Sequence, residues 1–345
     1  MGRMYGWDLG GANVKLARVE NGRIASVAQV PCPSIADPEK FNEAVDAALV
    51  HCRPGGRHAV TMTGELSDVF PSRAAGVAYL TNLMRKKTGE DTLFYSLTEG
   101  LIGAARLRST WQDVASANWH ASAAFAATRE AHGLLVDIGT TTTDLIPLKD
   151  GAPRAIGKTD GERMTEGELI YAGVVRTPVM AVAQDAPFKG RLQGIAGERF
   201  ATMADVYRLT DELPKDADPY GTADGRGKSL DESAARLARM LGRDDDEAAF
   251  IAWKALAHFL GRRQLDRIAA DAQVLIGREA LPPEAPIIGA GCGRFLAVQL
   301  AARLQRPYRD FADMIDCDDD ARDMAATCAP AIALALLAEE AESGP

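Results

Sequence analysis

Paired cysteines, a basic surplus, clustered histidines and long apolar runs are all missing from this sequence, and each absence removes a class of protein. The five cysteines, Cys32, Cys52, Cys292, Cys317 and Cys328, are scattered, odd in number and contain no C-x-x-C pair, which argues against a disulfide scaffold and for a reduced, cytoplasmic setting. Lys and Arg total 39 against 48 Asp and Glu, a formal charge of −9, so no basic face is expected to track a nucleic-acid backbone. The five histidines lack metal-ligand spacing, which argues against zinc. The longest apolar stretch near the C-terminus, Ala329 to Ala338, is about half the ~20 residues that a membrane helix needs, and no charged and apolar leader precedes the strand-like Tyr5 to Leu9. No nucleic-acid or membrane partner is therefore expected. Small anions are still allowed, because backbone N–H groups and a bound cation hold phosphate whatever the net charge.

What the chain does have is material for more than one core. Its 345 residues, 47% apolar and 25% charged, predict a globular protein of two domains. Tyr5 to Leu9, Val14 to Val19 and Ile24 to Val30 read as successive strands, turned at Gly10-Gly11 and Asn21-Gly22. A helix after Pro38, a strand His58 to Thr63, a helix after Pro71 and a strand Leu93 to Leu97 follow, then an alanine-rich helix over Val114 to Ala131. The opening then repeats: strand Leu134 to Ile138, a turn at Gly139, strand Thr143 to Leu148, the Asp150-Gly151 turn and strand Arg154 to Lys158. From Thr165 to Leu281 the reading is mostly helical, with capping boxes at Thr165/Glu168 and Ser229/Glu232 and a loop over Asp216 to Lys228. A strand Ala285 to Gly289 and a helix from about Asp323 to Glu342 complete the chain.

Three constellations carry chemistry. In Asp8-Leu9-Gly10-Gly11-Ala12-Asn13-Val14-Lys15 a strand ends on Asp before a glycine turn; glycine lets N–H groups reach phosphate oxygens with no Cβ in the way, Lys15 adds a positive charge, and Asp8 is a candidate to hold Mg2+ directly or through water. Asp137-Ile138-Gly139-Thr140-Thr141-Thr142-Thr143 repeats the pattern with hydroxyl donors, and Asp137 is the second candidate metal carboxylate. The third, Gly289-Ala290-Gly291-Cys292-Gly293, opens a helix but lacks the acidic residue of a dinucleotide fingerprint; it is a weaker candidate for a nucleotide or substrate loop.

Two Asp-x-Gly hairpins followed by a late Gly-x-Gly resemble the actin, sugar-kinase and chaperone ATPase superfamily across the whole chain. Within it the sequence is similar to the hydantoinase/oxoprolinase-like branch, and to a family tied to tetrahydromethanopterin-linked one-carbon metabolism and methanofuran or methylofuran biosynthesis. Tyr5 to Asn13, Thr61 to Leu66, Ala117-Asn118-Trp119, Asp137 to Pro147, Gly173 to Pro178, Phe200 to Tyr207 and Thr222 to Gly225 carry that likeness.

The resemblance implies an α/β fold: two RNase H-like (actin-like ATPase) domains, with mixed sheets flanked by helices and a central phosphate-binding cleft. The expected divisions are 1–132, then 133–322 with a largely helical insertion at about 160–282, then a C-terminal helix over 323–345 that returns to the first domain. Asp8 and Asp137 are expected to face each other across the cleft. The implied reaction joins an aminomethyl-furan diphosphate to the phenol of a tyramine, tyrosine or glutamyl acceptor, with diphosphate leaving and Mg2+ assisting. Glu65 is the candidate base, because it follows a strand in a turn expected to open into the cleft. Arg73, Asn118, Arg176, Asp224 and Lys228 are candidate substrate-binding residues. The competing classes are an ATP-dependent kinase or amide-ring hydrolase, which would take ATP or ADP at the same loops, and a non-catalytic nucleotide-binding subunit. Nothing in the sequence sets an oligomeric state.

Overall fold

The computed structural model describes residues 2–33 and 37–343. By packing, the chain divides into two units: unit 1 holds residues 1–135, 146–166 and 309–345, and unit 2 holds 136–145 and 167–308. By packing, the stretches 146–166 and 309–322 go with the first unit.

Unit 1 begins with β1 (Arg3–Leu9), β2 (Asn13–Glu20) and β3 (Arg23–Pro31), an antiparallel meander whose second turn has Asn21 and Gly22 both left-handed. Helix α1 (Glu39–Leu49), β4 (Arg57–Met62), α2 (Arg73–Thr88), β5 (Leu93–Ser96) and β6 (Gly100–Gly103) complete a mixed sheet of order β3-β2-β1-β4-β5-β6, in which β4 is parallel to β1 and to β5. Strand β6 was not anticipated. Alternation along the strands decides the layers. Tyr5, Trp7, Leu9, Val60 and Met62 join Phe41, Val45, Val77, Leu80 and Met84 of α1 and α2 in one core.

The helix of the alanine-rich stretch, α4 (Asn118–Arg129), starts four residues later than Val114; a separate helix, α3 (Leu107–Val114), precedes it, and Ser116 between them is left-handed with φ 52°. Then come β7 (Gly133–Ile138), β8 (Thr143–Lys149) and β9 (Ala152–Pro153). Arg154 to Lys158 form no strand: Pro153 has no N–H to continue the ladder, and Arg154 N donates to Pro147 O at 2.8 Å. Helix α5 (Asp160–Thr165) starts at the capping box Thr159/Glu162, six residues before the expected Thr165/Glu168; Thr165 is its last residue.

Unit 2 is less helical than its sequence suggests. After β10 (Leu169–Ile170) it runs through irregular chain into a hairpin, β11 (Asp185–Phe188) and β12 (Arg191–Gly194), turned by the left-handed pair Lys189-Gly190. Helices α6 (Met203–Leu209), α7 (Leu230–Met240) and α8 (Phe250–Glu279) follow, and α7 carries the anticipated Ser229/Glu232 box. The chain then forms β13 (Ile287–Ala290), α9 (Arg294–Arg303) and β14 (Tyr308–Asp310), closing a sheet of order β10-β8-β7-β13-β14 with β9 on β8. Both sheets are flanked by helices, which makes the fold class mixed α/β. The last helices are α10 (Asp319–Ala325) and α11 (Ala329–Ser343), and α11 lies on β1. A Cβ on Gly6 would stand 2.0 Å from Ala331 O and 2.9 Å from Ala335 Cβ, so only glycine lets helix and strand meet there.

Candidate active site

The two Asp-x-Gly turns are closed by the same hydrogen bond. Gly10 N donates to Asn13 O at 3.0 Å, and Gly139 N donates to Thr142 O at 2.8 Å. In unit 1, Asp8 is 3% exposed at the end of β1, cross-strand from Lys15, whose Nζ is 3.7 Å from Asp8 Oδ2. Thr63 N donates to Leu9 O and Cys32 N to Ala12 O, at 3.0 and 2.9 Å, so the turn is held on both sides.

In unit 2 the threonine turn has its own backing. Gly173 N donates to Thr141 O, Val174 N to Gly139 O, and Val175 N and Arg176 N to Thr140 O, at 2.8–3.2 Å. The turn's carbonyls are thereby drawn to the 173–176 segment, and that segment is fixed in turn by Gln264, whose Nε2 donates to the carbonyls of Ala172 and Gly173 at 3.0 and 3.1 Å. Tyr207 O–H donates to Gln264 Oε1 at 2.7 Å and locks the amide. Sequence reasoning missed Gln264, since a glutamine inside a long helix carries no motif. Of the four threonines, Thr143 turns inward: it is fully buried and its hydroxyl donates to Ala172 O at 2.8 Å, which leaves Thr140, Thr141 and Thr142 as the turn's outer residues.

Glu65 sits in a single 3-10 turn, Gly64–Leu66, and is 1% exposed. Its Oε1 accepts from Ser116 Oγ at 2.8 Å and from Arg73 Nη2 at 3.5 Å. Burial pushes the carboxyl up to about 7, against the opposing pull of the Ser116 hydrogen bond and the Arg73 charge. Nearby, Asn118 Oδ1 accepts from Trp119 N at 2.8 Å at the start of α4, and the buried Arg163 guanidinium lies 4.0 Å over the Trp119 ring.

Against this geometry stand the likenesses to known proteins. The hydantoinase/oxoprolinase family profile matches residues 57–314, well over half of the chain. The chain belongs to the hydantoinase/oxoprolinase family. A relative in Methanocaldococcus jannaschii, (4-{4-[2-(gamma-L-glutamylamino)ethyl]phenoxymethyl}furan-2-yl)methanamine synthase, is 30% identical over 281 residues, covering 77% of this chain and 82% of its own. The synthase of the same name in Methanococcus vannielii is 35% identical over 111 residues, 32% of this chain and 50% of its own. Among solved structures, the activator of the 2-hydroxyisocaproyl-CoA dehydratase from Clostridium difficile aligns over 99% of this chain and 96% of its own, at 10% identity and a TM-score of 0.43.

The region shared with the hydantoinase/oxoprolinase family contains Glu65, Arg73, Asn118, the Asp137 turn, Arg176 and the glycine turn; the Asp8 turn precedes it. In this family member two expected substrate residues, Asp224 and Lys228, are tied into one ion-pair network. Asp224 Oδ1 accepts from Arg236 Nη1 at 3.1 Å, and Lys228 Nζ is 3.4 Å from Asp218 Oδ2, inside a network in which fully buried Arg236 also meets Asp205 at 2.7 Å. These charges order the loop between α6 and α7, which has neither helix nor strand from Asp216 to Lys228. The glycine turn is likewise explained by packing. A Cβ on Gly289 would meet Tyr308 Oη at 2.6 Å, and one on Gly291, whose φ is 81°, would meet Ile138 O at 2.2 Å and Asp137 Oδ1 at 2.5 Å. Gly291 thus brings the end of β13 against the Asp137 strand. Ala290 between them is fully buried.

No three His, Cys, Asp or Glu side chains converge on a metal among the described residues. No described helix is long and apolar enough to cross a membrane.

Proposed function

We propose that this chain is a transferase that forms an aryl ether, joining an aminomethyl-furan diphosphate to the phenol of a tyramine, tyrosine or glutamyl acceptor in methanofuran or methylofuran assembly. The observation that carries the reading is the likeness, over 77% of the chain, to a synthase whose named product contains a phenoxymethyl-furan bond. Making that bond from a diphosphate requires one C–O bond to break and another to form. The phenol gives its proton to Glu65, the oxygen's electron pair joins the furan CH2, and diphosphate leaves with the pair of the broken bond. An unperturbed phenol has a pKa of ~10, so a carboxyl near 7 makes a better base at neutral pH than one near 4.5.

The remaining roles follow the chemistry of each turn. Gly10, Gly11, Asn13 and Lys15 are assigned to phosphate, as are Gly139 and Thr140 to Thr142; Thr143 is assigned to the support of its turn. Asp8 and Asp137 are the carboxylates that would hold Mg2+, which when bound neutralises the departing diphosphate. Arg73, Asn118 and Arg176 are the candidates for substrate contact.

A second reading, an ATP-dependent kinase or hydrolase, draws on the paired phosphate-type turns alone. One experiment separates the two. The furan diphosphate is supplied with each phenolic acceptor, and the ether is followed by mass spectrometry together with released diphosphate. Ether formation without ATP consumption is expected. Absence of ether with every acceptor, alongside acceptor-dependent ADP formation from Mg-ATP, would replace the transferase by the second reading.

A further inference from the structure

The two oxygens of Glu65 are not equivalent. Oε1 accepts from both Ser116 and Arg73, whereas Oε2 is buried and has no hydrogen-bond partner among the described residues. Arg73 Nη2 also donates to Ser116 Oγ at 3.1 Å. A guanidinium only donates, so that contact occupies a lone pair of the serine oxygen and directs the serine's own proton to Glu65. The arrangement is a directed relay, from Arg73 to Ser116 to Oε1.

The relay is rigidly mounted. Ser116 is left-handed, with φ 52°, a conformation that serine adopts at a cost, and the preceding Ala115 bridges to Met62 at the end of β4. On the other side, a Cβ on Gly76 of α2 would stand 2.7 Å from Glu65 Cα and 2.8 Å from Glu65 O, so the helix presses directly on the glutamate's backbone. These attachments hold the backbones of Glu65 and Ser116, and the Ser116 and Arg73 hydrogen bonds hold Oε1.

We infer that Ser116 is a positioning residue for Glu65, tying down Oε1 so that Oε2 is the oxygen that receives a hydrogen-bond donor of the bound substrate. The identity of that donor as the phenolic O–H rests on the transferase reading. With Oε1 already accepting, the proton that Glu65 gains resides on Oε2. That one oxygen is therefore the base while Glu65 is ionised and the acid once it is neutral.

The test uses Ser116→Ala, which removes the hydroxyl and keeps the backbone cost, and Ser116→Gly, which removes the hydroxyl and relaxes the backbone. In the free protein, the Glu65 carboxyl is titrated by carbon-13 NMR of glutamate-labelled samples, with Glu65→Gln assigning the signal. The Ser116 hydrogen bond favours the carboxylate, so its loss raises the midpoint above the wild-type value of about 7 in both variants. The acid limb of kcat/KM for ether formation moves up in step, and kcat near pH 6.5 falls about tenfold or more with KM little changed. An unmoved midpoint in both variants overturns the positioning role, whether or not ether forms. A raised midpoint with an unmoved acid limb overturns the assignment of Oε2. A raised midpoint in a protein that makes no ether keeps the positioning role and discards the transferase reading.

Discussion

Gly173 donates its backbone N–H to the carbonyl of Thr141 at 2.9 Å, and no methyl group fits between them: a Cβ on Gly173 would stand 2.4 Å from Thr141 N. Gly173→Ala must therefore push the threonine turn outward. Overpacking of this kind costs about 1–3 kcal/mol of stability, and diphosphate affinity measured by calorimetry should fall with it. Retained affinity in a folded variant would show that the turn's position is immaterial to binding.

Gly139 is the complementary case. A Cβ there would meet only Thr142 O, at an ordinary 3.5 Å, and its backbone is not among the left-handed glycines. The fold does not need glycine at this position, and alanine should leave stability neutral or raised by about 0.4–1 kcal/mol. If phosphate oxygens approach this turn, Gly139→Ala nevertheless weakens diphosphate binding about tenfold or more. Unchanged binding would remove Gly139 from the phosphate site.

Buried titrating groups in unit 1 oppose one another across the acid range. Trp7 Nε1 donates to His58 Nδ1 at 3.0 Å, and burial lowers this histidine from 6.5 to about 4; burial lowers His120 to about 4 as well. Their contributions are present above 6.5 and are lost as pH falls toward 4. Glu65, raised from 4.5 to about 7, behaves in the opposite sense: its contribution is complete below 4.5 and is lost as pH rises through 7. Glu65→Gln deletes the compensating term. Its denaturation free energy should fall more steeply than that of the wild type between pH 7 and 4.5, and parallel slopes would mean that Glu65 titrates as an ordinary carboxyl.

The glycine turn after β13 offers a packing test. Gly289→Ala collides with the Tyr308 ring, a side chain, so Tyr308→Ala should relieve much of the loss in a double-mutant cycle. Gly291→Ala collides with the Ile138 carbonyl from a left-handed backbone, and the Tyr308 truncation should not rescue it. Equal rescue of the two would show that the turn is held by something other than these contacts.

Arg236 is fully buried between Asp205 and Asp224. Arg236→Ala leaves Asp224 without its arginine and Asp205 with Arg208 alone, at 3.2 Å; loss of a buried partner of this kind costs about 3–5 kcal/mol, and it should open the loop over Asp216 to Lys228 to limited proteolysis. An equally stable, protease-resistant variant would show that the network does not order the loop.

Most strands and helices of unit 1 were legible because their apolar periods and their Asn-Gly and Gly-Gly turns are local signals. Three departures in the secondary-structure reading have specific causes. Ser116 delays the start of the alanine-rich helix through a backbone angle that its residue type does not announce, Pro153 stops the third strand of the repeat, and Lys189-Gly190 turns a hairpin inside a stretch that composition made look helical. The Asp-x-Gly turns could be found from spacing alone. Their supports, Gln264 and Gly173, could not, nor could Ser116 as the partner of Glu65, because all three act through contacts distant in sequence, and the partners of Asp224 and Lys228 become visible only when α7 is folded against α6.

The seam between Gly6 and Ala331 bears on how the protein is made. Residues 1–135 emerge from a ribosome long before 309–345, and between them lies all of unit 2. Until α11 is synthesised, the face of β1 that carries Met4 and Gly6 has lost the helix that covers it, and both residues are buried in the finished protein. The nascent chain therefore holds a half-built sheet with a solvent-facing apolar side for most of translation, the kind of surface that chaperones bind and that self-associates when they do not.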